Sequence, residues 1–142
     1  MSRILWKGSF AALLGFPLLI AQEAPKVKRV PAHSISSIQG QDLFREYCAV
    51  CHGTDGKGGG PAATALKSMP SDLTQLAIKN HGKFPERRVQ AVLSEEGVNI
   101  AAHGSREMPI WGTILRRLGT NEDLGAVRVY NLLKYVESLQ AK

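Results

Sequence analysis

Cys48-Ala49-Val50-Cys51-His52 sets two thiols three positions apart, with an imidazole directly after the second. These are the only two cysteines in the chain. Upstream, Leu43, Phe44, Tyr47, Val50 and Cys51 recur at helical spacing, and Ser36-Ser37-Ile38-Gln39 has the form of a capping box at the start of that helix. Downstream, Gly53-Thr54-Asp55-Gly56-Lys57-Gly58-Gly59-Gly60-Pro61 cannot continue it, because glycine and proline both punctuate the stretch. The two thiols and the imidazole therefore close a helix and face a glycine-rich loop.

The compartment decides what such a group can do. Met1 to Lys7 carries two positive charges and no acid, and Gly8 to Ala21 runs uncharged through Phe10, Leu13, Leu14, Phe16, Leu18, Leu19 and Ile20. A basic start, a short apolar run and a small residue at its end make residues 1–21 an expected secretory signal, cleaved after Ala21 or, as second choice, after Ala24. Losing Arg3 and Lys7 with it lowers the formal charge from +6 to +4. Residues 22–36 read as a flexible lead-in, with Lys26, Lys28 and Arg29 as solvated charge rather than a nucleic-acid patch. Residues 37–142 are expected to form one domain. At 142 residues, 44% hydrophobic and 21% charged, the chain suits a single globular unit and not a disordered one. No apolar run reaches the roughly 18 residues of a spanning helix, which excludes an integral channel.

In an exported chain, C-x-x-C-H is the signature of covalent c-type haem attachment. Two thiols at this spacing can add across the two vinyl groups of one haem while the adjacent imidazole reaches the iron. The rivals account for less. A redox disulfide expects a βαβ pattern, which is missing, and a zinc site needs further ligand cysteines that the chain lacks. A Cys48–Cys51 bridge would close too small a loop to stabilise much. Cys48, Cys51 and His52 are thus the expected attachment group for one haem c.

Other segments fit the same picture. Ser71 or Asp72 can cap a short helix through Ile78 that Gly82 would end. Pro85 can open another, carrying Val89, Val92 and Leu93 on one face. Asn121 can cap a last helix through Leu124, Val127, Val129, Tyr130, Leu132, Leu133, Val136 and Leu139. No alternating strand occurs, so the expected class is all-α.

The chain resembles a class I mono-haem cytochrome c of the bacterial periplasmic kind over roughly Ile38 to Gln140. The resemblance rests on Gly40 and Phe44 ahead of the C-x-x-C-H motif, the glycine loop to Pro61, Asp72-Leu73-Thr74, Met108-Pro109-Ile110-Trp111-Gly112 and Leu132-Leu133-Lys134-Tyr135-Val136. It implies a fold in which the first and last helices pack crosswise around one covalent haem, with a glycine letting them approach. It also implies Met108 as the second iron ligand opposite His52, and the Pro61 carbonyl as acceptor for the other His52 nitrogen.

Residue spacing supports Met108 over Met69. Met69 follows His52 by only seventeen residues, much of them glycine loop, whereas Met108 comes after two expected helices that can wall the opposite haem face. The competing ligand is His103, and bis-histidine ligation would lower the potential relative to His/Met. Met108 as a flexible core filler is the plain alternative. Trp111 is expected either against a haem edge or as a core aromatic. His81 reads as a surface residue at a helix end, and Glu95-Glu96 as solvated.

No set of side chains beside the haem looks catalytic. The expected function is electron transfer, by a soluble periplasmic carrier or a small redox-complex subunit, with no enzymatic reaction of its own. Its partners would be donor and acceptor proteins, steered by Lys57, Lys67 and Arg106 unless these only solubilise the surface. The alternative is a haem enzyme or gas sensor whose sixth iron position is open or labile, with His103 as its acid or base.

Overall fold

The computed structural model describes residues 33–94, 108–118 and 123–141. The expected signal, most of the lead-in, His103, Arg106, Glu95, Glu96 and Asn121 lie outside the described residues. Among the described residues, five α-helical segments are present: α1 (Gly40–Leu43), α2 (Ala49–His52), α3 (Glu86–Ser94), α4 (Trp111–Arg117) and α5 (Asp123–Ser138). Phe44–Cys48 is a single π turn joining α1 to α2, and three short 3₁₀ turns (Ala63–Ala65, Leu73–Gln75, Ile78–Asn80) lie between α2 and α3. Among the described residues there is no strand, so the chain has the all-α class its sequence predicts. Among them, too, no helix is long and apolar enough to cross a membrane.

The core is an apolar seam where α5 meets the other helices. Leu43, Phe44 and Tyr47 come from the first helical stretch, Leu93 from α3, Trp111 and Leu115 from α4, and Val129, Leu132, Leu133 and Val136 from α5. Burying each large side chain here contributes about 1.5–3 kcal/mol. The closest approach is between α1 and α5. A Cβ on Gly40 would overlap the Asn131 carbonyl, and the Asn131 amide donates to the Ile38 carbonyl at 2.8 Å across the same crossing. Phe44 and Tyr135 meet one turn further on, with ring centroids 5.3 Å apart.

The π turn alters the expected register of the first helix. An extra residue in the turn rotates the helix phase, so Cys48 and Ala49 turn inward while Val50, expected on the apolar face, is 47% exposed. The expected capping box is also rearranged. Gln39 is the N-cap without a side-chain cap bond, and the Ser37 hydroxyl accepts from the Gln39 N–H at 3.1 Å while donating to Asp42 Oδ2 at 2.7 Å.

Residues 33–36, the end of the expected lead-in, lie on the domain. The Tyr47 hydroxyl donates to the His33 carbonyl at 2.7 Å, the Ser34 hydroxyl to the Leu118 carbonyl at 2.7 Å, and Ile35 packs on the core. The helix expected over 72–78 is instead a pair of 3₁₀ turns. Asp72 does cap the first, accepting from the Thr74 N–H at 2.9 Å. The second ends as expected, with His81 left-handed and exposed and Gly82 at φ 81°.

Helix α4 was not foreseen, although Trp111, Ile114, Leu115 and Leu118 carry its spacing. Its last turn is met by α5. Arg128, only 3% exposed, donates from Nη1 to the Leu115 carbonyl at 3.2 Å.

Candidate functional site

The C-x-x-C-H motif occupies the end of the first helical stretch, where a helix leaves carbonyls without amide partners. The glycine loop supplies them. Ala62, Gly60 and Gly58 donate their backbone N–H groups to the carbonyls of Val50, Cys51 and His52, at 2.8, 3.0 and 2.7 Å. Gly53, at φ 78°, turns the chain out of the helix. The loop can come this close only without a side chain at position 60, where a Cβ would sit 2.5 Å from the Val50 carbonyl oxygen and 2.6 Å from that of Ala49. Glycine at position 60 is therefore a requirement of fastening the loop beneath the motif.

Cys48 and Cys51 are not bridged to each other. Burial pushes the Cys48 thiol up to about 12, with the neighbouring Cys51 adding to the shift. A buried thiol with so little thiolate is poorly suited to thiol–disulfide exchange, which disfavours a redox-disulfide role for the pair.

His52 is half-buried, and burial holds its imidazole below the ordinary histidine range, partly offset by its bond to Ser71. That bond fixes the ring. Nδ1 lies 3.0 Å from the Ser71 carbonyl oxygen, so Nδ1 carries the proton and donates, leaving the Nε2 lone pair as the ligating nitrogen. The acceptor expected from the resemblance was the Pro61 carbonyl. Instead, the chain segment after the glycine loop returns to place Ser71 there. The Leu73 N–H donates to the Gly56 carbonyl at 2.8 Å, and a Cβ on Gly58 would overlap the Pro70 carbonyl, so loop and segment lie in contact. Sequence carries no signal for this partner, because any residue has a carbonyl.

The two methionines differ in environment. Met69 is 67% exposed, whereas Met108 is half-buried against the core just before α4. Trp111 is buried and stacks at 5.5 Å, tilted, on Tyr47, the residue that precedes Cys48. Lys57 and Lys67 are exposed. The group fits a covalent haem: two unbridged thiols and an imidazole with one nitrogen already engaged lie on one helix end.

An all-α fold whose first and last helices touch at a glycine, with C-x-x-C-H ending the first, defines a class I c-type cytochrome domain. The family model described as cytochrome c oxidase, cbb3-type, subunit III matches residues 38–130, and the chain belongs to that family. Its domain carries covalently attached haem c and transfers electrons through the haem iron. No curated protein and no solved structure matches the chain.

Proposed function

We propose that this protein is a single-haem electron-transfer protein with His/Met ligation, exported by residues 1–21 and acting in the periplasm as a soluble carrier or a small redox-complex subunit. The observation that carries the reading is the His52 ring. Its Nδ1–H is committed to the Ser71 carbonyl at 3.0 Å, on the same helix end as the two unbridged thiols. Cys48 and Cys51 would hold the haem through thioethers, and His52 Nε2 and the Met108 sulfur would bind its iron. The haem, when bound, supplies the ferric/ferrous couple.

The chain's own residues set the conditions for that couple. Ser71 orients and enriches the imidazole. The packing of Met108 on the core favours a thioether held in place over one that swings into solvent. With His52 and Met108 both binding its iron, the haem would supply transfer of an electron rather than a place for a substrate. Lys57 and Lys67, exposed around the motif's loop, suit a small, transient contact with an acidic partner protein.

Absorption spectra of the haem-loaded protein test this. The ferric form should show the far-red band of a methionine sulfur on iron, and the ferrous form should not bind carbon monoxide. Met108→Ala should abolish the band and admit carbon monoxide. A native protein that lacks the band and binds carbon monoxide readily would instead be a haem enzyme or sensor.

A further inference from the structure

The segment that presents the Ser71 carbonyl to His52 is short and irregular, and a single side chain fastens most of it. Gln140, just beyond the end of α5, donates from Nε2 to the Leu73 carbonyl at 2.7 Å and accepts at Oε1 from the Ala77 N–H at 2.8 Å. Its Nε2 also donates to the Val136 carbonyl at 2.8 Å, which folds the side chain back against its own helix end. The next residue adds to the clamp, because the Ala141 N–H donates to the Thr74 carbonyl at 2.9 Å. Both ends of Leu73–Ala77 are therefore tied to the C-terminus of α5. Leu73 lies two residues after Ser71.

We propose that Gln140 is a positioning residue for the axial imidazole, acting through the 73–77 segment to hold the Ser71 carbonyl against His52 Nδ1. The proposal rests on the reading of His52 as an iron ligand. A histidine that donates strongly from its outer nitrogen is a more basic ligand and stabilises the ferric state. Loosening the clamp weakens the Nδ1–H bond, makes the imidazole a poorer electron donor and raises the reduction potential. Three ties survive the loss of the Gln140 amide: the Leu73 N–H on the Gly56 carbonyl holds the segment to the glycine loop, the Ala141 N–H still reaches the Thr74 carbonyl, and Asp72 caps Thr74 within the segment, while Ala77 loses its partner. The effect should therefore be partial.

The test uses the haem-loaded full protein, native and Gln140→Leu, with Val129→Ala as a variant that loosens the core of α5 away from the segment. Potentiometric titration should show the ferric/ferrous ratio of Gln140→Leu at fixed ambient potential shifted about two- to fivefold toward ferrous. At 59 mV per tenfold for one electron, that is an upward shift of about 20–40 mV. In ferrous protein the His52 Nδ1–H should exchange faster with solvent than in native protein. Val129→Ala should lose stability but move neither quantity. If Gln140→Leu also loses stability with the potential and the N–H exchange unmoved, its role is structural only and the proposal is overturned. His52→Ala separates this from the underlying reading: loaded protein that keeps a histidine-ligated spectrum refutes His52 as the ligand, and the proposal with it.

Discussion

Gly40→Ala attacks the contact between α1 and α5 with one methyl group. An ideal Cβ at this position overlaps the Asn131 carbonyl oxygen and lies 2.7 Å from its carbonyl carbon and 2.8 Å from Tyr135 Cβ. Two of these atoms are backbone, so no rotamer change can relieve the clash and the helices must separate. An ordinary carbon–oxygen contact needs about 3.3 Å, which asks for a shift on the order of an ångström. A movement of that size stretches the 2.8 Å bond from Asn131 to the Ile38 carbonyl and opens the Phe44–Tyr135 ring contact. Overpacking costs about 1–3 kcal/mol and the lost hydrogen bond about 1 kcal/mol. Alanine returns up to about 1 kcal/mol through its better helix propensity. The net loss is about 2–3 kcal/mol, and a domain of this size should lose about 10–20 °C in Tm. Guanidinium and thermal unfolding of the haem-loaded protein, followed by far-ultraviolet circular dichroism, measure it. Gln39→Ala, exposed and without a side-chain cap bond, is the control. A Gly40→Ala midpoint equal to that of the control would refute the claim that backbone proximity at this crossing requires glycine.

Two further outcomes follow from single buried or capping groups. The Asp72 carboxyl is held below its ordinary 3.8, first by the Thr74 hydroxyl and then by the Thr74 N–H, Lys79 and Lys57. As pH falls the unfolded chain takes up the proton first, so this stabilisation is present above about 3.8 and lost as pH drops through the lower folded value. Asp72→Asn should flatten the acid limb of the stability–pH curve in that window, and an unchanged limb would show that the Thr74 bonds are not coupled to folding. Arg128 is a desolvated cation whose Nε has no partner, and among the described residues no carboxylate pairs with it. Its guanidinium meets the Leu115 carbonyl in the core that also holds Cys48 and Trp111, so its charge would disfavour the more positive ferric state. Arg128→Met should lower the reduction potential by tens of millivolts in redox titration, while stability changes by no more than about 1.5 kcal/mol, since one hydrogen bond is lost along with a buried charge. A potential that stays put would mean that solvent screens this guanidinium from the haem.

How far the sequence could be read depended on the kind of information each feature needs. Periodicity found α5 and the core faces of the first helix because burial along one helix repeats every three to four residues. It failed at Val50, since a π turn shifts the phase without changing composition, and at Arg128, a charged residue that α5 turns inward to meet the carbonyl of Leu115. The 3₁₀ turns after Asp72 were read as an α-helix because an N-cap looks the same in sequence for both.

What the sequence determined by itself was covalent and local: two thiols and an imidazole at the spacing of one haem, and a glycine- and proline-punctuated stretch that ends the helix carrying them. These are properties of neighbouring residues, fixed by bond lengths and steric limits wherever the chain goes. The tertiary structure alone decided which carbonyl orients His52 and what holds that carbonyl in place. Ser71 and Gln140 lie 19 and 88 residues from the histidine. A backbone oxygen and an amide side chain carry no distinguishing chemistry until folding brings them within 3 Å of their partners.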